Sequence, residues 1–139
     1  MPEIRYCIIC EHVRPEVGNK LTILGFYGLT PNVEILVGNL AQPLTVTFLI
    51  GVEGIVGSDH HLTAQITKPD GSLLMQSPQM AVPVSTAGRT VLAIGLIAPF
   101  PVAGTYQLRA SINGIARLQT TFLIRQARPE ELPSPSGHA

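Results

Sequence analysis

Residues 104–124 read GTYQLRASINGIARLQTTFLI, and this stretch decides the fold. Tyr106, Leu108, Ala110 and Ile112 alternate with Gln107, Arg109 and Ser111. That period of two belongs to a strand with one face buried and one wet. Asn113-Gly114 then supplies the residue pair that a type I′ turn demands, because both central positions need positive φ. A return strand follows from Ile115 to about Ile124. The unit is a β-hairpin, and the rest of the chain repeats its grammar.

Residues 43–50 place Leu44, Val46, Phe48 and Ile50 inward, with Thr45 and Thr47 outward. Residues 61–67 do the same with Leu62, Ala64 and Ile66. Between 67 and 72, Lys68-Pro69-Asp70-Gly71 is a turn in which proline fixes φ. Residues 72–76 and 79–84 form one strand interrupted at Ser77-Pro78, and residues 89–98 are apolar enough to predict a central strand. At the N-terminus, residues 4–13 read as a strand ending near Arg14-Pro15. A turn at Gly18-Asn19 leads into a second strand, 20–27, with Leu21 and Ile23 on one face and Leu24 and Phe26 on the other. Both its faces are therefore expected to be partly covered. Residues 29–42 read as a short edge strand or a covering loop.

The pattern predicts eight or nine short strands and no helix. Two antiparallel sheets packed face to face, an immunoglobulin-like β-sandwich, are the economical arrangement; a closed barrel is the alternative. Tryptophan is absent, so the chain lacks the Cys…Trp…Cys core of a true immunoglobulin domain. At 139 residues the sequence makes one domain, expected over 1–125. Residues 126–139, polar and proline-rich, read as a flexible tail.

Charged residues make up only 13% of the chain, and nine basic side chains balance nine acidic ones. No polybasic field exists to neutralise phosphates, which argues against nucleic acid. The short apolar run Tyr6 to Cys10 is neither a signal peptide nor a membrane span, so the expected location is the cytoplasm. Low surface charge also suits a surface covered by another chain.

Candidate chemistry is sparse. Cys7 and Cys10 form a C-x-x-C, but in a strand they point to opposite faces, roughly 10 Å apart, so two buried thiols are expected rather than a disulfide. Cys10 and His12 share one strand face, and a long loop has the reach to bring His60 or His61 beside them with Asp59 near. Those S and N ligands are what zinc takes, so Cys10, His12, His60 and His61 are the candidate metal set. No G-x-S-x-G elbow supports a hydrolase, although His12, Ser58 and Asp59 would suit one if a pocket joined them. No cofactor motif is present.

The most polar stretch is CEHVRPEVGNK, residues 10–20. In one reading it marks the rim of the sandwich, where Glu11 or Glu16 pairs with Arg14 or Lys20. In the sharper reading Glu11, His12, Arg14 and Lys20 form a docking site. Cys10-Glu11-His12-Val13-Arg14, then Gly18-Asn19-Lys20 and Leu24-Gly25-Phe26-Tyr27, resembles the N-terminal signature of a family of small uncharacterised bacterial proteins. Its members read C-E-D-x-R, G-K and I-G-x-Y, and end in G-x-Y-x-hydrophobic-R with an N-G or D-G hairpin. Gly104-Thr105-Tyr106-Gln107-Leu108-Arg109 and Asn113-Gly114 are similar. The resemblance implies a single β-domain and no established activity. Its usual aspartate is His12 here, which weakens a hard-cation site. The sequence thus predicts a non-enzymatic structural or interaction module, self-associating or bound to a protein partner through an exposed strand at 32–37 or 79–84. The alternatives are a small-ligand or metal-binding sandwich and a hydrolase.

Overall fold

The computed structural model describes residues 2–18, 20–54, 60–83 and 88–131. Ten strands follow in order: β1 (Glu3–Glu16), β2 (Lys20–Leu29), β3 (Glu34–Val37), β4 (Pro43–Glu53), β5 (His61–Thr67), β6 (Leu73–Gln76), β7 (Met80–Ala81), β8 (Arg89–Pro99), β9 (Gly104–Ile112) and β10 (Ile115–Gln126). A single 3-10 turn, Pro129–Glu131, closes the described chain. The count exceeds expectation because the interrupted strand divides at Ser77-Pro78 into β6 and β7, both paired to β5. Ser77 holds that break together: its backbone N–H donates to the Ala64 carbonyl, and its Oγ accepts the Ala64 N–H at 2.9 Å.

Two sheets result. One has four strands in the order β2-β1-β4-β8; the other runs β3-β10-β9-β5-β6, with β7 beside β5. All pairings are antiparallel except β3 with β10, which is parallel. The immunoglobulin-like sandwich expected from the hairpin pattern is the architecture observed. The inward alternations were read correctly: Val46, Phe48, Ile50, Leu62, Ala64, Ile66, Tyr106, Leu108, Ala110 and Ile112 are all buried in one core. Phe48, Phe100, Tyr106 and Phe122 form its aromatic centre, with ring centroids 5.2–6.0 Å apart, the range in which such rings attract.

Turn chemistry fixes the hairpins. Asn113 (φ 52°) and Gly114 (φ 80°) both occupy the left-handed region, as a type I′ turn requires. The Gly71 N–H donates to the Lys68 carbonyl at 2.9 Å. Tyr106 adds a local fastening: its hydroxyl donates to the Val102 carbonyl at 2.6 Å and accepts the Val102 N–H at 3.2 Å. A tyrosine bonded to backbone a few residues upstream is a recurrent corner of immunoglobulin-like sandwiches.

Three expectations need correction. Strand 89–98 is not central: β8 is an edge of its sheet. Strand 20–27 is not covered on both faces, for Leu21, Ile23, Leu24 and Phe26 are all exposed. For Leu21, Ile23 and Leu24 the reason is that β1 pairs with β4 only through Cys10, so residues beyond it run on with β2 as a two-stranded ribbon; Phe26, opposite Cys10, lies on the outer face of the sheet's edge strand. Finally, the boundary expected at 125/126 falls inside β10. The Ala127 N–H donates to the Val37 carbonyl at 2.8 Å, and Arg125 holds Glu131 through two hydrogen bonds of 2.8 and 2.9 Å. The remainder of the expected tail, 132–139, lies outside the described residues, as do Asn19, Ser58, Asp59 and residue 84.

Candidate functional site

The polar cluster read from the sequence sits on the β1–β2 ribbon. His12 pairs with Leu24, Arg14 with Thr22, and Glu16 with Lys20 at the closing end. Arg14 Nε lies 3.4 Å from Glu16 Oε1, both partly exposed; such a surface pair contributes at most about 1 kcal/mol. Glu11 is placed differently. Its side chain lies over Gly25, where a Cβ would run into the carboxylate, and its carbonyl accepts the Thr47 hydroxyl at 3.1 Å. Gly25 also has φ 64°. Glu11 therefore belongs to the junction where the ribbon leaves the sheet, while His12, Arg14 and Lys20 lie along it.

The metal candidates fall into two groups. Cys10 is fully buried on the outer side of β1, with its Sγ 3.7 Å from the Thr47 carbonyl oxygen. Cys7 points the opposite way, into the core. His60 and His61 belong to the other sheet: His61 opens β5, and its N–H donates to Asn113 Oδ1 at 2.9 Å. His60 Nδ1 lies 3.0 Å from Asn113 Nδ2. Among the described residues, no three His, Cys, Asp or Glu side chains gather as a metal-binding group. Burial pushes the Cys7 thiol up to about 12 and raises Cys10 as well. Neither is a ready thiolate, the form that attacks substrates or binds metal. The Ser58 and Asp59 of the hydrolase alternative lie outside the described residues.

A surface the sequence reading missed is the outer face of the four-stranded sheet. The register sets Phe26, Cys10, Thr47 and Gly95 in one row across β2-β1-β4-β8. The neighbouring row is Leu29, Ile8, Leu49 and Ala93. Neither row contains a charge. The middle of this face is buried at Cys10, Thr47 and Leu49, whereas its flanks are open: Phe26 is 61% exposed and Ile97 73%. Tyr6 lies across Gly51, where any Cβ would strike its ring. Beyond it, Arg5, Glu53, Arg89 and Val91 border a shallow cleft of about 300 Å³. The signal was present in the sequence, since β2 and β8 carry apolar residues at both parities. Such a pattern says that both faces avoid water, but not what covers the second.

These features define an immunoglobulin-like β-sandwich with one apolar outer face and a projecting ribbon. No protein-family model and no curated protein matches the chain. Among solved structures it is similar to an alkylpurine DNA glycosylase of Pseudomonas fluorescens bound to DNA containing an abasic-site analogue. The TM-score is 0.55 and the identity 11%, over 89% of this chain and 30% of that one. The chain thus spans under a third of that protein, and the likeness is one of fold. An immunoglobulin-like protein from Pseudomonas aeruginosa is also similar, with a TM-score of 0.46 and 16% identity over 90% of this chain and 97% of the other.

Proposed function

We propose that the protein is a non-enzymatic interaction module of the cytoplasm, which docks a protein partner through the apolar face of its four-stranded sheet and the ribbon that extends it. The observation that carries this reading is the exposure of Phe26 and Ile97 at either flank of an uncharged sheet face. Apolar side chains grouped in the open on one sheet face mark an interaction site on a monomer. Phe26 and Leu29 on β2, with Val91 and Ile97 on β8, are exposed on either side of the buried middle of this face. His12, Arg14 and Lys20 lie beside it and would orient the contact, since polar groups at a rim set register more than affinity.

The test is affinity capture from the native host with three baits: the wild type, Glu11→Ala/Arg14→Ala, and Leu24→Ser/Phe26→Ser. A partner held by the wild type and lost with the Leu24/Phe26 bait supports the apolar face as the docking site. Loss with the Glu11/Arg14 bait as well extends that site to the ribbon. A partner recovered equally by all three folded baits would remove the reading.

A further inference from the structure

The edge of β8 is unlike the other sheet edges. Natural sheets protect an edge by keeping its strand short, bulging it, or placing charge or proline along it. Edge strands β3 and β6 have four residues each. β2 carries Lys20, and its pairing with β1 breaks register between Ile9 and Cys10. β8 has none of these devices between its ends. It has 11 residues, and its register with β4 runs unbroken from Pro43↔Pro99 to Glu53↔Arg89. Residues 90–98, TVLAIGLIA, contain neither charge nor proline.

The same nine residues are symmetric in size about Ile94. Ala93 balances Gly95, Leu92 balances Leu96, Val91 balances Ile97, and Thr90 balances Ala98. We propose that β8 pairs antiparallel with β8 of a second copy about a two-fold axis at Ile94, joining the two four-stranded sheets into one of eight. Directly opposed residues in an antiparallel ladder lie on the same face. Val91 then meets Ile97 of the second copy on the outer face, and Leu92 meets Leu96 on the core side, where both are only half-buried in one chain. Small faces small at Ala93 and Gly95. Arg89 falls opposite Pro99 of the second copy, so no like charges meet. Centring the pair on Gly95 instead would set Ala93 against Ile97 and Leu92 against Ala98, which wastes the match.

Any extended peptide can add to a free edge. Only self-pairing makes use of the mirror order of sizes, and that selects a second copy as the occupant. The ladder supplies about eight backbone hydrogen bonds, close to the roughly ten of a typical protein interface. It also resolves the conflict between sequence and position: a strand that reads as central becomes central in the pair. The proposal deepens the interaction reading by naming one partner, and rests on it only for the idea that this sheet is the working surface.

Sedimentation velocity of the full chain tests it. The wild type is expected at twice the 14.9 kDa chain mass at micromolar concentration. Val91 and Ile97 are both exposed, so charges there are compatible with the folded chain. They lie six residues apart on one strand, about 20 Å, and cannot pair within one chain. Val91→Lys/Ile97→Lys opposes lysines across the axis and is expected to weaken the dimer at least a hundredfold. Val91→Glu/Ile97→Lys places each lysine against the second copy's glutamate and is expected to recover most of that loss. A monomeric wild type at 100 micromolar overturns the proposal, yet leaves the interaction reading to the capture experiment. A dimer that survives the double lysine, or one abolished by Phe26→Ser, also overturns it, the latter in favour of face-to-face packing.

Discussion

The two outer faces of the sandwich cover the same core with opposite chemistry. Across the four-stranded sheet one row reads Phe26, Cys10, Thr47, Gly95. Across the other sheet a row of equal length reads Gln76, Gln65, Arg109, Gln119. Both rows sit on strands whose inward residues are apolar. The polar row behaves as an ordinary wet surface, because antiparallel sheets commonly bury one side only. In the apolar row Cys10 and Thr47 are already buried within the chain, whereas Phe26 is left open. An aromatic side chain exposed at the flank of an uncharged row covers no core of its own and suits something outside the molecule, and on that difference the functional reading rests.

The largest effect that would sharpen the comparison is expected at Gly51, on the apolar side. A Cβ there runs into the Tyr6 ring, and forcing extra volume into packed structure costs about 1–3 kcal/mol. Gly51→Ala should lower the urea midpoint accordingly. In a Tyr6→Ala background the same change should cost under about 0.5 kcal/mol, because the obstruction is gone; neighbours that share a contact are non-additive in this way. Equal costs in both backgrounds would mean that Tyr6 does not pack on this face.

Tyr106 gives the counterpart on the six-stranded sheet. Its ring lies in the core and its hydroxyl bonds the Val102 backbone. Tyr106→Phe keeps the ring but leaves the Val102 carbonyl without that donor, which costs about 1–2 kcal/mol. Equilibrium unfolding followed by fluorescence and circular dichroism would measure it; a change under about 0.3 kcal/mol would show the corner to be dispensable.

These two positions also mark what could be read from the sequence. The inward faces of β4, β5 and β9 were legible, since a strand with one wet side writes its burial as alternation. The hairpin at Asn113-Gly114 was legible because few residues accept positive φ. Tyr106 was read only as a buried side chain. Its bond to Val102 spans a bend between elements, and no periodicity records a bend. β8 misled for a different reason. Val91, Ala93, Gly95 and Ile97 are as apolar as Leu92, Ile94 and Leu96, and an uninterrupted apolar run says that both faces and the edge are to be covered without saying which chain covers them. Of the candidate residues, His12, Arg14 and Lys20 lie along the β1–β2 ribbon and Glu11 lies at its junction with the sheet. That the hairpin leaves the sheet was not legible, because the parting of β1 from β4 after Cys10 depends on β4, some 35 residues away.

A pH titration probes the margin of the polar sheet, where Arg125 of β10 joins Glu131 and Glu34. The Arg125 guanidinium, and then the Arg128 N–H, hold the Glu131 carboxyl well below its ordinary range. A depressed folded-state pKa means that the contribution is present above the unfolded value of about 4.3 and is lost as pH falls below it. The turn at 129–131 should therefore stay docked at pH 5 and loosen in stronger acid. The Glu131 carboxyl resonance in NMR is expected to titrate below that of free glutamate, and Glu131→Gln should make the docking of Ala127 insensitive to acid. A normal titration of Glu131 would remove this tie.

The smallest effects on stability come from exchanging the chemistry of the faces, and these most directly test whether the faces differ in purpose. Phe26→Ser removes the open flank of the apolar row; Arg109→Leu puts a hydrophobe into the polar one. Both side chains are exposed, so each change should move the unfolding free energy by no more than about 0.5–1 kcal/mol. Their surface properties should shift in opposite directions. Retention on a hydrophobic-interaction column and binding of an apolar dye are expected to fall for Phe26→Ser and rise for Arg109→Leu. Partner capture should be lost only with the first. If Phe26→Ser instead destabilised the chain by several kcal/mol with no change in retention, Phe26 would be a packing residue of the folded chain. The contrast between the faces would then be one of structure alone.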